Sequence, residues 1–317
     1  MDKKEIKIVY LGTPEISAKV LEKMIENGYN IVAVISQPDK PVGRKNIITP
    51  TPVKIVALNH SIPVFQPKKI RNDFSYLYDI KPDILLTMAY GQLISDEILK
   101  IPSIKPLNLH GSLLPKYRGA SPIQAALFNG DNETGVTLME MVHEMDAGKM
   151  FYKDSFAISE DDNYDTLCEK ISESAFRCFD SGIQSLIDGT NLGEEQNVNE
   201  VTFTKKIKPE DQIIDFNNDA QKIVNDIRAL TTNPGAYFIY KNEKIKIQKA
   251  KAIDNGQKFN PGKVISYNKK EFIVGTANGK LSIEMLQKPG KKSMKINDFY
   301  NGNQNYFTVN EIIKWLK

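Results

Sequence analysis

At 317 residues, with 41% hydrophobic and 26% charged side chains, the chain is long enough for two domains with ordinary cores, and no apolar run approaches the roughly 20 residues that cross a bilayer. Two cysteines are too few for a disulfide framework or a cysteine-based zinc site. The net charge of +3 hides an asymmetry: residues 205–317 hold 21 Lys and Arg against 11 Asp and Glu, residues 1–204 hold 21 against 28, and a basic half on an acidic half suggests a polyanionic partner or else a solvated lysine-rich surface.

The chain enters a strand-like run at residues 6–11 without a signal-peptide pattern, so a cytoplasmic protein is expected. A helix then starts at Gly12-Thr13-Pro14-Glu15, with Thr13 as N-cap and Pro14 as first helical residue. Val20, Leu21, Met24 and Ile25 form its apolar stripe, Gly28 ends it, and residues 29–36 read as a second strand. Strand, helix, strand is a right-handed crossover in a parallel sheet. The single glycine in the first turn lacks the dinucleotide fingerprint, which argues against a nicotinamide cofactor.

Residues 37–52 form a long polar loop with Lys40, Arg44 and Lys45, four prolines and Gly43. A helix at 53–60, a strand at 62–65 and a helix at about 72–78 follow. Residues 83–88 read as a buried parallel strand that delivers Ala89-Tyr90-Gly91. A short strand at 106–109 leads into NLHGSLLPKYRGASP, residues 108–122, too broken by Pro and Gly for regular structure. Asn108 and His110 leave that strand on one side, because side chains repeat every second residue. An imidazole beside an amide donor suits acyl transfer, where one moves a proton and the other holds an oxyanion. The same residues also suit a histidine satisfied by loop backbone. Ser112 lacks a nucleophile-elbow sequence, which argues against a serine hydrolase.

Strands at 135–141 and 150–157 flank Val142-His143-Glu144-Met145-Asp146-Ala147-Gly148, and a long helix covers 162–186 with Cys168 and Cys178 as core filling. His60 reads as structural or exposed. Residues 188–199 have few apolar anchors and read as a linker. A helix at 220–230 and five short alternating runs separated by turns such as Asn255-Gly256 and Asn278-Gly279 suggest a small β-barrel, a fold that often binds oligonucleotides.

Those residues resemble the methionyl-tRNA formyltransferase family. The resemblance rests on NLHGSLLPKYRGASPIQAAL at 108–127, QPDKPVGR at 37–44 and MDAG at 145–148, with LGTPE at 11–15, VFQP at 64–67, AYGQLI at 89–94 and LQKPGKKSM at 286–294. It implies an α/β protein: a Rossmann-like formyltransferase domain with a mostly parallel sheet at 1–188, a linker at 189–204, and a small OB-like C-terminal β-barrel for tRNA at 205–317. It implies transfer of the formyl group of 10-formyltetrahydrofolate to methionyl initiator tRNA in the cytoplasm, by a monomer without a metal. The family's catalytic trio falls on Asn108, His110 and Asp146, with Asp146 orienting the imidazole. Ser112, Leu113, Leu114 and Pro115 match its folate segment, and the loop at Met88, Ala89, Tyr90 and Gly91 completes that site. Arg44, with Lys40 and Lys45, matches the insertion that reads the tRNA acceptor end. Lys149 stands where an acidic residue is usual and Asn233 where a tryptophan is. The trio specifies formyl chemistry and leaves the acceptor open among tRNA, glycinamide ribonucleotide, an amino-sugar nucleotide and, in a formyltetrahydrofolate hydrolase, water. An RNA-binding module on a degenerate enzyme domain is the reading from another class.

Overall fold

The computed structural model describes residues 2–43, 45–253 and 256–313, and the chain divides into two compact units. The first gathers residues 1–122, 133–157 and 168–204; the second gathers 123–132, 158–167 and 205–317. In chain order the first part holds β1 (Ile8–Gly12), α1 (Glu15–Glu26), β2 (Ile31–Ile35), β3 (Lys40–Val42), β4 (Ile47–Thr49), α2 (Pro52–Asn59), β5 (Val64–Phe65), α3 (Tyr76–Ile80), β6 (Ile84–Met88), α4 (Asp96–Leu99) and β7 (Lys105–His110). Then come β8 (Arg118–Gly119), α5 (Pro122–Asn129), β9 (Glu133–Glu140), β10 (Met150–Ala157), α6 (Tyr164–Ile187) and β11 (Phe203–Thr204).

A seven-stranded sheet with order β10-β9-β7-β6-β1-β2-β5 carries the first unit. Its strands β5, β2, β1, β6 and β7 are parallel, and β9 and β10 extend the β7 edge antiparallel. Every residue of β1 and β6 is buried, which explains their continuous apolar sequences in place of alternation. After β5 the chain returns to the far side of β1 to form β6, so the loops leaving β1 and β6 part at the carboxyl edge, where ligands of open α/β sheets bind.

The structure corrects three expectations. Thr13 does not cap α1, whose N-cap is Pro14 with no side-chain bond. Its hydroxyl instead donates to the Tyr90 carbonyl at 2.9 Å, a tertiary bond between the β1 and β6 loops that outcompetes the local cap. Residues 37–52 are not plain loop: β3 and β4 pair as a hairpin, Lys40 opposite Thr49 and Val42 opposite Ile47, with Pro41 tolerated on a two-stranded ladder. The helix expected at 72–78 is a 3-10 turn at Ile70–Asn72 and the short α3, because Phe74 and Tyr76 are drawn onto the core beside β5.

The second unit continues with α7 (Ala220–Leu230), β12 (Ala236–Tyr240), β13 (Glu243–Ile253), β14 (Val264–Tyr267), β15 (Phe272–Gly275), β16 (Lys280–Gln287), β17 (Met294–Lys295) and α8 (Ile296–Asn301). The strands expected from the five alternating runs are all present and antiparallel, in order β12-β13-β16-β15-β14 with β17 beside β16. The Asn255 half of one expected turn lies outside the described residues. One core serves the unit: Ile223, Ile227 and Leu230 of α7 meet Phe238, Ile245, Ile247, Val264, Phe272, Leu281 and Leu286 of the sheet. Phe307 is its hub, with ring centroids 4.3 Å from Phe272, 4.7 Å from Tyr240, 4.9 Å from Tyr306 and 5.1 Å from Tyr267.

Candidate active site

The carboxyl edge of the first unit collects the expected trio. Asn108 and His110 end β7; Asp146 lies in the loop between β9 and β10. His110 is buried, and its Nε2–H donates to the Tyr117 carbonyl at 2.9 Å. That bond fixes the tautomer, since a carbonyl only accepts, and leaves Nδ1 turned to Asp146 Oδ2 at 3.7 Å. That separation is too long for a hydrogen bond. Asp146 Oδ2 meanwhile accepts from the Gly119 amide at 2.8 Å. Asn108 is partly exposed, and among the described residues its carboxamide has no hydrogen-bond partner, so its N–H groups are available.

Backbone geometry sets the site up. Gly119 has φ +113, and a Cβ there would sit 2.4 Å from the Thr204 carbonyl. Only glycine keeps β8 beside β11 with its amide aimed at Asp146. Gly148 is equally tight, a Cβ falling 2.0 Å from the Glu140 carbonyl. Asp146 itself holds φ +52, left-handed for a side chain-bearing residue.

The expected folate residues take different positions. Ser112, Leu114 and Pro115 are buried and Leu113 is partly exposed. The Ser112 hydroxyl donates to the Lys116 carbonyl at 2.6 Å, its carbonyl accepts from Thr137 Oγ1 at 2.8 Å, and Leu114 N donates to the same threonine oxygen at 3.0 Å. The serine therefore shapes the turn. After the buried Met88, Ala89 and Gly91 are exposed at φ +51 and +85. Tyr90 turns inward, its carbonyl held by Thr13 and by Gln37 Nε2 at 3.3 Å, and burial pushes its phenol well above the ordinary range. His143 Nδ1, in the loop after β9, lies 3.2 Å from Asp96 Oδ1 at the start of α4. Among the described residues, the backbone of 91–94 makes no backbone hydrogen bond, which leaves donors and acceptors for a flat heterocycle.

Of the expected tRNA-facing residues, Lys40 and Lys45 are exposed on the β3–β4 hairpin and Arg44 lies outside the described residues. The hairpin also exposes Val42, Ile47 and Ile48, at 58%, 61% and 69%, an apolar surface that the polar sequence of the loop obscured. Asp39 at its base accepts from Lys54 Nζ and Gln66 Nε2, each at 2.6 Å, and these bonds, Gln66 first, hold its carboxyl below the usual range.

In the second unit the lysines are not equivalent. On β13, Lys246 donates to the Pro234 carbonyl, Lys244 sits over the Tyr237 ring, and Lys249 and Lys251 share Glu284. Lys205, Lys206, Lys269, Lys270, Lys291, Lys292 and Lys295 are exposed or partly exposed and have no ion-pair partner among the described residues. Elsewhere Cys178 is buried and Cys168 partly buried, His60 pairs with Glu22 at 2.7 Å, Lys149 pairs with Glu195 at 3.6 Å, and Asn233 is exposed.

Residues 189–204, expected as a linker, supply what sequence reasoning missed. The segment is part of the first unit and pairs with the rest of it through Glu194 and Met150, through β11 on β8, and through Thr202 Oγ1, which accepts from Tyr117 N at 2.8 Å. Gln196, 7% exposed, donates from Nε2 to the Asp146 and Gly148 carbonyls at 2.7 and 2.9 Å. The buried Arg118 donates from Nε to Gln196 Oε1 at 3.0 Å. A lone glutamine in a polar stretch gives no spacing signal, so only the fold reveals it.

The chain matches the Formyl transferase family over residues 6–181 and the Formyl transferase, C-terminal domain over residues 206–304. It is similar to the methionyl-tRNA formyltransferase of Lactobacillus johnsonii, at 40% identity over 309 residues that cover 96% of this chain and 98% of that one. Among solved structures it is similar to methionyl-tRNA formyltransferase from Clostridium thermocellum, with a TM-score of 0.55, 20% identity, and coverage of 80% of this chain and 95% of that chain. It is also similar to HypX from Aquifex aeolicus in complex with tetrahydrofolic acid, with a TM-score of 0.65, 17% identity, and coverage of 98% and 50%. The two structural likenesses, at such identities, speak for the fold.

Proposed function

The chain belongs to the methionyl-tRNA formyltransferase family, and from that premise we propose that it moves the formyl group of 10-formyltetrahydrofolate onto the α-amino group of methionyl initiator tRNA. The observation that carries this reading is the relative's 40% identity over 309 residues, which cover 96% of this chain. HypX, which shares the fold, is known with tetrahydrofolic acid bound, and this supports a folate donor.

In the proposed reaction the α-amine attacks the formyl carbon, giving a tetrahedral oxyanion and an ammonium. Asn108 donates to the oxyanion, an interaction worth about 3–4 kcal/mol when well aligned. His110 takes the ammonium proton at Nδ1, where Asp146 faces the charge that develops. The bond between carbon and folate N10 then breaks, N10 receives the proton, and formylmethionyl-tRNA and tetrahydrofolate leave. The donor's heterocycle lies between the 88–93 loop and the 112–115 segment, meeting free backbone groups and the partly exposed Leu113. The β3–β4 hairpin, with Lys40, Arg44 and Lys45, meets the acceptor end of the tRNA, and residues 205–317 hold its phosphates. Acting on a translation substrate, the enzyme would work in the cytoplasm, as a monomer. Among the described residues, no helix is long and apolar enough to cross a membrane.

Acceptor competition tests the reading. With 10-formyltetrahydrofolate as donor, charged initiator tRNA, glycinamide ribonucleotide and an amino-sugar nucleotide are offered together. Formyl on the tRNA-borne methionine is expected; formyl on either small acceptor, with the tRNA untouched, refutes it.

A further inference from the structure

We propose that Gln196 is a positioning residue of the formyl transfer, a carboxamide clamp that holds the Asp146 turn against His110, with Arg118 fixing its orientation. The proposal rests on the reading of the trio above. Both Nε2 hydrogens are spent on the turn, one on the Asp146 carbonyl at 2.7 Å and one on the Gly148 carbonyl at 2.9 Å. The amide cannot be flipped: the carbonyls only accept, and Arg118 Nε, 3.0 Å from Oε1, only donates. Arg118 is itself 6% exposed and reaches Glu144, in the same turn, from Nη1 at 3.3 Å.

The turn needs such a clamp. Asp146 sits at φ +52, a conformation that a residue with a side chain rarely holds unless its surroundings impose it. Its carboxylate is anchored by the Gly119 amide, and its 3.7 Å approach to His110 is too long for a hydrogen bond. Without Gln196, two carbonyls lose their donors, and the turn relaxes toward water. The carboxylate would then leave the imidazole, and a displacement of about 1 Å in a reacting constellation costs on the order of 100-fold in rate. The same segment fixes the other side of the site. Thr202 accepts from Tyr117 N and its carbonyl accepts from Arg118 N, so the carbonyl that takes His110 Nε2–H and the amide that meets Asp146 both lie on backbone strapped by residues 194–204.

Gln196→Glu and Gln196→Met test this. Glutamate keeps the length and the bond to Arg118 but presents only acceptors to two carbonyl oxygens; methionine keeps the volume with no hydrogen bonds. Both should lower kcat for transfer to methionyl initiator tRNA by about 100-fold, with KM for tRNA and folate within about twofold of wild type. A structural role alone would not move His110, so its ring is read directly. The chain has three histidines, and in imidazole nitrogen NMR, assigned by single replacement, the His110 signals should shift while those of His60, paired with Glu22 away from this loop, stay. Wild-type kcat in either folded variant, or an unmoved His110 signal, overturns the proposal. If both variants fail to fold, Arg118→Lys decides: it leaves Gln196 in place but removes the Nε–H, and wild-type kcat in that protein overturns it equally. The NMR shift needs no substrate, so a wild-type enzyme that formylated no tRNA would refute the functional reading without deciding this one.

Discussion

In the proposed transfer, Asn108 is the trio member that the fold supports least and the chemistry would use most directly. Its carboxamide has no partner among the described residues, so Asn108→Ala should leave the melting temperature within about 1 °C and reduce the single-turnover transfer rate about 100- to 1000-fold. A near-wild-type rate would remove it from the oxyanion. Gly119 makes the opposite prediction, loss of structure and rate together. A Cβ 2.4 Å from the Thr204 carbonyl at φ +113 would part β8 from β11, so Gly119→Ala should destabilise the protein by about 1–3 kcal/mol and slow transfer as its amide swings away from Asp146. Equal denaturation midpoints for the two proteins would contradict this. Asn108 and His110 drew notice because polar side chains at close spacing in Gly- and Pro-broken sequence stand out from core patterning, and the family resemblance added Asp146; the structure brings Asp146 to 3.7 Å from His110. Gln196 and Thr13 did not: each acts through a hydrogen bond between segments far apart in sequence, and Thr13 looked like a local cap because a threonine before a proline usually is one.

At the scale of elements, legibility followed burial. The fully buried β1 and β6 and the alternating strands of the second unit were readable within a few residues, because one physical pattern dominates each. The β3–β4 hairpin was not, since all six of its strand residues are exposed and its sequence mixes prolines and lysines. What holds the hairpin's base is Asp39, bonded by Gln66 and Lys54. A carboxyl held below its ordinary value of about 3.9 contributes stability in full above that value and loses it as pH falls through the folded-state value. Asp39→Asn should therefore be less stable than wild type near neutrality, and the difference should begin to shrink near pH 4 and vanish only once pH has fallen through the lower folded-state value. Denaturation midpoints of the two proteins from neutral to acid check this; a gap that widens in acid has the sign reversed. In the second unit, Phe307→Ala should cost about 3–5 kcal/mol, because it empties the centre of the aromatic cluster. Thermal unfolding measures it, and a change under about 1 kcal/mol would show that the cluster collapses around the gap.

The whole molecule sets a basic 205–317 half against an acidic remainder, a division visible in composition before any fold was known. Its surface refines the expectation: Lys249 and Lys251 of β13 are engaged with Glu284, whereas Lys291 and Lys292 are exposed and have no ion-pair partner among the described residues. Replacing Lys291 and Lys292 with Ala should flatten the salt dependence of tRNA binding by about one unit for each phosphate no longer neutralised, and replacing Lys249 and Lys251 should flatten it less. Binding at two ionic strengths separates them, and the reverse order would relocate the phosphate track to β13. We propose that initiator selectivity depends on Arg44, because an arginine can donate paired hydrogen bonds that a lysine or leucine cannot. Arg44→Leu should cut transfer sharply and blur initiator from elongator tRNA, and kinetics on both tRNAs will show whether it instead weakens them equally. The most direct trial of the account is a single turnover with labelled 10-formyltetrahydrofolate and charged initiator and elongator tRNAs, followed by mass analysis of the attached amino acid. Label on the α-nitrogen of the initiator's methionine, absent from the elongator and lost in Asn108→Ala, is the predicted result; label released as formate, with both methionines unmodified, would make water the acceptor and contradict it.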